Sequence, residues 1–358
     1  MKIVIIGAGV AGLAIGWRLV QAGAEVTILE RSQPGSGATG ASAGMIAVTA
    51  ETLDSQSHEV EFAKYSNALW PDFAKEVEAL SGAAIGFSRS GALILAEDVL
   101  TLARLERHGQ TVGAAKVREL VPLLTGELAG GLWAPDEAHV DSRALALGLA
   151  LAFQKAGGKL AANEAVVRIE RQRAGDGGER AAAAHTPFGR YHADLFVLAA
   201  GAWSSLIEAD LAPIVPVKGQ MIALAPPPGL SLPGPVVWGH GVYAVPRGPH
   251  LLIGATTEQM GFDTRPTGEG LETLLAAGAR LIPGLRDWTL VDHWAGLRPG
   301  SPDGLPLLGP TKLQDLWLAA GQYRNGILFA PAIAEIMRDQ IFGRSAGIAA
   351  FDPRRIAA

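Results

Sequence analysis

The amino-acid sequence predicts an α/β protein: a parallel-sheet domain assembled from three separated pieces, with a mostly antiparallel α+β domain inserted between them. Apolar runs at Ile3–Ile6, Leu195–Ala200 and Leu316–Ala320 each stop on a glycine, at Gly7, Gly201 and Gly321. Such runs mark strands buried on both faces. Between Val215 and Trp294 the pattern changes to short apolar stretches punctuated by proline, as antiparallel sheet requires. The chain has 358 residues, 49% of them hydrophobic, enough for a large core and two domains. The expected division places residues 1–80, 139–214 and 296–358 in the first domain and 81–138 and 215–295 in the second.

The first element is the strand Lys2–Ile6. It breaks into Gly7-Ala8-Gly9-Val10-Ala11-Gly12, a helix to Gln21, and a second strand from Glu25 to Leu29 that ends on Glu30. Strand, Gly-x-Gly-x-x-Gly, helix, strand and acid together form the Rossmann-like arrangement that holds an ADP moiety. Gly7 allows the turn, Gly9 lets backbone approach a pyrophosphate, and Gly12 lets the helix pack on the sheet. The helix start supplies free N–H groups, and Glu30 can accept from ribose hydroxyls. The alternative is a merely tight strand–helix corner. The next stretch, Arg31 to Met45, is rich in small residues and suits a segment that touches a long flat cofactor with its backbone. A surface loop is the alternative, although Met45-Ile46-Ala47-Val48 at its end reads as buried.

Residues 56–80 read as an amphipathic helix with a kink or break at Trp70-Pro71. Ile85–Arg89 and Ala92–Ala96, joined by Ser90-Gly91, read as a hairpin. Leu100–Gly109 and Ala115–Leu120 read as helices, and Leu132-Trp133 and His139-Val140 flank a loop. A helix over Ser142–Ala156 is capped by Asp141 or Ser142 and ended by Gly157-Gly158. Lys159-Leu160 and Ala165–Glu170 then read as a return to the first sheet. Arg171–Ala184, with Gly175-Asp176-Gly177-Gly178, reads as an exposed hairpin tip. A helix over Leu271–Leu281 closes the antiparallel section, and a last helix runs from near Asn325-Gly326 to about Phe342.

Composition excludes several function classes. A net charge of -5 without any basic run speaks against nucleic acid as a partner. With no cysteine there is no disulfide, thiolate metal site or cysteinyl flavin bond, which fits a cytoplasmic protein. The N-terminal apolar run stops too early for a signal peptide, and the stretch Ala144–Phe153 falls below the roughly 20 residues that would span a bilayer. No stable membrane insertion is expected. Neither a Ser-His-Asp set nor a metal-ligand cluster emerges.

A family resemblance runs almost end to end. Its stretches are the fingerprint with Glu30, Gly40–Met45, His139-Val140-Asp141, Leu198–Ser204, Pro216–Gln220, Tyr243–Arg247, Gly254-Ala255-Thr256, Trp294–Gly304 and Ala319–Leu328. With these the chain resembles the D-amino-acid oxidase superfamily of FAD-dependent amine oxidoreductases. Ala295–Gly300 followed by Arg324-Asn325-Gly326-Ile327 is similar to its glycine-oxidase (ThiO-type) branch, which serves thiamine synthesis. The resemblance implies a GR2-type, Rossmann-like FAD-binding domain and non-covalent FAD. It also implies a small amino-acid or amine substrate, dioxygen as acceptor with hydrogen peroxide as product, and a homo-oligomer.

By the same resemblance Arg298 clamps the substrate carboxylate and Tyr243 closes over it. Met45 and Ala47 lie near the flavin ring and substrate, Arg324 at the rim and His240 near the entrance. The FAD contacts fall on Gly7, Gly9, Val10, Ala11, Gly12, Glu30, Arg31, Ala38, Thr39, Gly44, Met45, Val167, Gly201, Trp203 and the run Arg324, Asn325, Gly326, Ile327 and Leu328. Val167 offers its backbone to the adenine.

Arginine suits the clamp because its planar fork donates two parallel bonds. From the residues alone, Arg298 is equally a surface ion pair and Met45 equally core, Tyr243 has a buried-core alternative, and His240 between two glycines reads more as a loop residue than as a catalyst. Gln322, where the family pattern has histidine, and Thr257, where it has methionine, leave the amine preference open. Three other functions remain: a quinone-linked dehydrogenase of D-amino acids or secondary amines, a non-catalytic flavin-binding subunit, and an NAD-dependent dehydrogenase. The last is disfavoured by the small-residue stretch after Glu30.

Overall fold

The computed structural model describes residues 1–53, 55–175, 177–232 and 234–356. Its first sheet has six strands in the order Leu307–Pro310, Leu316–Ala320, Leu195–Leu198, Lys2–Ile6, Glu25–Glu30 and Lys159–Ala162. All neighbours are parallel except the first pair. Alternation along the central strand divides the interior: Ile3 and Ile5 join one core, Val4 and Ile6 the other. The helices Val10–Gln21, Ser57–Ser81, Ser142–Lys155 and Gly326–Ile341 pack on the first face. A small antiparallel sheet of Arg168–Arg173, Glu179–Thr186 and Gly189–Tyr191 covers the second through Ile169, Ala181 and Ala184.

The second sheet has eight strands in the order Thr289–Gly300, Val215–Ala225, His250–Gly254, Val242–Arg247, Val236–Gly239, Ala92–Ala96, Gly130–Ala134 and Thr111–Gly113. Helix Gly268–Leu281 packs on one face through Leu274 and Leu281. The other face, with Met221, Tyr243 and Trp238, packs against Ala43 and Met45 of the small-residue segment that follows Glu30.

Three local expectations are corrected. Ile85–Arg89 and Ala92–Ala96 do not form a hairpin: Ala92–Ala96 pairs with Val236–Gly239 and Gly130–Ala134, and Ser88 bridges only to His139. Central pairing partners from distant sequence outcompete the local turn. Residues 57–81 form one helix containing Pro71, not two. Trp70 is fully buried and its indole Nε1 donates to the Leu328 carbonyl at 3.0 Å, so packing on the last helix outweighs the hydrogen bond lost at proline. Lys159–Ala162 rejoins the parallel sheet as expected, but residues 168–170 belong to the small antiparallel sheet. Glu179–Thr186 pairs back on Arg168–Arg173, the arms of the expected hairpin, whose Asp176 lies outside the described residues.

Candidate active site

A cavity of about 590 Å³ opens at the carboxyl ends of the parallel strands and runs to the inner face of the antiparallel sheet. That is where open α/β sheets bind ligands, because strand ends and helix starts converge there. Gly7, Gly9, Val10, Ala11, Glu30, Arg31, Ala38, Thr39, Gly44, Met45, Val167, Gly201 and Trp203 line it, as do Tyr243, Arg298, Arg324, Gly326 and Ile327. Gly12, Ala47, His240, Asn325 and Leu328 do not.

The nucleotide end is built from backbone. Gly7 sits at φ +110, where a Cβ would lie 2.5 Å from the Ala199 carbonyl oxygen. A Cβ on Gly12 would lie 2.0 Å from the Gly7 carbonyl oxygen, so Gly12 serves the helix–strand contact. Thr39 Oγ1 accepts the Val10 N–H at 2.9 Å. The N–H groups of Ala11 and Gly12, at the same helix start, have no acceptor among the described residues. They can meet an anion. Glu30 accepts from Ala8 N at 2.8 Å and Ser32 N at 3.0 Å, which fixes its carboxylate at the cavity wall. The Arg31 guanidinium lies 3.6 Å over the Trp203 ring, and its burial lowers its basicity, partly offset by Glu30. Val167 N–H already donates to the His185 carbonyl at 2.9 Å.

The other end is built from side chains. Arg298 projects from the long strand Thr289–Gly300, opposite Val217. Its guanidinium lies against Gly219, where a Cβ would come within 2.4 Å of both terminal nitrogens. Nη1 donates to the carbonyls of Thr256 at 3.1 Å and Lys218 at 3.4 Å, and no carboxylate among the described residues pairs with it. Tyr243 lies beside it, its hydroxyl 3.8 Å from Met221 Sδ. Burial pushes Tyr243 ionisation up, against the pull of Arg298, so the phenol stays neutral. The Trp238 ring packs on Tyr243 with centroids 5.0 Å apart.

Glu51, Trp238, Met221 and Gly219 also line the cavity, and sequence reasoning passed over all four. Glu51 carried a signal only in being an acid just after the buried run Met45–Val48. Its Oε2 lies 2.8 Å from Arg324 Nη2, in an ion pair without hydrogen-bond alignment. Burial pushes Glu51 upward, while the cations of Arg324 and Arg298 hold it down. Behind it, Glu137 accepts the Thr49 N–H and is pushed up to about 7, chiefly by burial.

The residues outside the cavity have other partners. Ala47 is fully buried at the start of the helix Val48–Thr52. His240 Nδ1 lies 2.8 Å from Glu97 Oε1. Asn325 donates to Glu59 at 2.8 Å, and Leu328 offers its carbonyl to Ser66 and Trp70. Helix Gly326–Ile341 nevertheless starts at the cavity wall, where Gln322 Nε2 is buried without a partner among the described residues. Thr257 lines the same wall. Free helix-start N–H groups, an acid fixed at the second strand, and an orphaned amide donor fit an ADP-linked flavin spanning the cavity. Among the described residues no cluster of metal ligands exists, and no helix is long and apolar enough to cross a membrane.

Known proteins share this architecture. The bifunctional protein ThiO/ThiG of Synechocystis is 35% identical over 99% of this chain, and this chain spans 54% of that protein, about half its length. The glycine oxidase of Pseudomonas aeruginosa is 34% identical, covering 96% of this chain and 95% of its own. The crystal structure of glycine oxidase from Geobacillus kaustophilus superposes with a TM-score of 0.91 at 32% identity, over 100% of both chains. Residues 2–340 match the FAD-dependent oxidoreductase family, and the chain belongs to that family.

Proposed function

We propose that the protein oxidises glycine and other small amines or D-amino acids, with FAD held at the nucleotide end and dioxygen as final acceptor. The observation that carries this reading is Arg298, an arginine with no carboxylate partner among the described residues, held by two backbone carbonyls in the same cavity as the nucleotide handle. Its fork suits a substrate carboxylate, and the neutral Tyr243 hydroxyl can donate a further bond to it. Met45, Met221 and Trp238 crowd the cavity beside Tyr243, which favours a small substituent at Cα.

Bound FAD supplies the acceptor for two electrons. The protein binds the carboxylate, orients Cα, and leaves the amine neutral so that its lone pair can assist the loss of the Cα hydrogen. Glycine thereby gives up two electrons and two protons to become an imine, which water converts to glyoxylate and ammonia. Dioxygen takes up the electrons and protons as hydrogen peroxide. The start of helix Gly326–Ile341 turns its positive end to the cavity, where it would stabilise negative charge on a reduced cofactor. The family pattern adds a role in thiamine synthesis and a cytoplasmic homo-oligomer to this reading.

The test is an anaerobic titration of the FAD-loaded protein with glycine, sarcosine and D-alanine. Bleaching of the flavin absorbance by these amines, followed by stoichiometric peroxide on admission of air, is expected. No bleaching by any of the three would overturn the reading, and bleaching without peroxide would favour a quinone-linked dehydrogenase.

A further inference from the structure

The substrate end of the cavity carries three charged side chains, Arg298, Arg324 and Glu51. They do not contribute equally. Arg324 Nη2 lies 2.8 Å from Glu51 Oε2, whereas Arg298 has no carboxylate partner among the described residues and its Nη1 donates to two backbone carbonyls. The Arg324 guanidinium is also held 5.8 Å from the centre of the Trp238 ring. Glu51 is the anchored partner: its side chain is 4% exposed, against 42% for Arg324. Its helix, Val48–Thr52, is tied at the start by Glu137, which accepts the Thr49 N–H. Water therefore screens the pair poorly on the Glu51 side.

We propose that Glu51 is a specificity-determining residue: by neutralising Arg324 it restricts the pocket to amines that carry a single carboxylate. This inference rests on the amino-acid oxidase reading. Two arginines and one glutamate leave one net positive charge, and an amino acid with a neutral amine brings one negative charge. A second substrate carboxylate would approach Arg324 only by displacing the Glu51 carboxylate or lying against it, and like charges oppose both. Removing the Glu51 charge leaves the Arg324 fork free to take a second carboxylate.

Acetate and malonate are unreactive probes that read the charge count without turnover. Each is titrated into oxidised, FAD-loaded protein and followed by the flavin absorbance, and Kd values are compared. In Glu51→Gln the affinity for malonate relative to acetate should rise at least tenfold over the native protein. Anaerobic bleaching by D-aspartate relative to D-alanine should rise in the same sense. A relative malonate affinity that changes by less than threefold in FAD-loaded Glu51→Gln overturns the proposal. Should that variant fail to hold FAD, Glu51→Ala carries the test. It removes the same charge, so malonate affinity relative to acetate should rise in the same sense, and a change of less than threefold in that variant overturns the proposal. Failure of glycine and D-alanine to bleach the native flavin would sink the oxidase reading, while the acetate–malonate ratio still decides the role of Glu51.

Discussion

At the nucleotide end of the cavity, Gly7, Gly9, Ala38, Thr39 and Gly44 present backbone and small side chains that lie within the first 45 residues of the chain. At the substrate end, Glu51, Tyr243, Arg298 and Arg324 present charged and aromatic groups from four distant segments. The first end works by excluding side chains, so a single Cβ can spoil it. The second works by placing a few side chains, and its failures should spare the cofactor. Mutations at the two ends should therefore separate cofactor retention from substrate recognition.

The broadest effect, on fold and cofactor together, is expected at Gly12. A Cβ there would lie 2.0 Å from the Gly7 carbonyl oxygen, so Gly12→Ala must push the helix off the strand, at a cost of about 1–3 kcal/mol or more. Loss of FAD on gel filtration and a lowered Tm are expected together. Gly9→Ala is the sharper control: its Cβ would meet only Thr39 Oγ1, at 3.5 Å. That variant should keep its Tm as an apoprotein but bind FAD about tenfold more weakly, roughly 1.4 kcal/mol. Equal losses of stability in both variants would contradict the distinction between packing and cofactor glycines.

Next comes Arg298→Ala, which should raise KM for glycine about 100-fold or more, from roughly 2–5 kcal/mol for a lost charge pair, with FAD still bound. An unchanged KM would remove Arg298 from the site. Tyr243→Phe removes one neutral donor and should lower kcat/KM by about 3–10-fold, near 1 kcal/mol. A larger loss than in Arg298→Ala would reverse their proposed ranking.

The last effect concerns stability alone and leaves both ends of the cavity unchanged. Glu137 is raised from 4.5 to about 7, so between those values the folded protein holds a proton that the unfolded chain has released. Its contribution is fully present below pH 4.5 and is lost as pH rises through about 7, by at most about 3 kcal/mol. Glu137→Gln should thus raise Tm at pH 8 relative to pH 5 by about 2–4 °C. His139 acts with the opposite sign. Lowered from 6.5 to about 4 by burial, it favours the fold above pH 6.5 and loses that contribution toward pH 4. Because both proteins retain His139, the difference between their pH profiles isolates Glu137. A Tm difference independent of pH would show that Glu137 acts through packing alone.

The nucleotide end was legible because its signal is local: a glycine pattern, two apolar strands and an acid are consecutive, and their spacing is their geometry. Helices over 10–21, 142–155 and 326–341 were equally open to reading from caps and periodicity. The pairing of Ala92–Ala96 was not, because strand partners are chosen by tertiary context rather than by the nearest turn. Pro71 misled for a related reason, since burial of Trp70 against the last helix is invisible from its neighbours in sequence.

By itself, then, the sequence pointed to a dinucleotide handle over Gly7 to Glu30 and, through family resemblance, to Arg298 as the arginine proposed for the substrate carboxylate. Only the tertiary structure decided that Arg324 is already paired while Arg298 is not, and that Glu51 belongs to the site at all. The physical reason is that hydrogen-bonding backbone is encoded by local conformation, whereas the charge of a pocket depends on which side chains distant segments bring within a few ångströms.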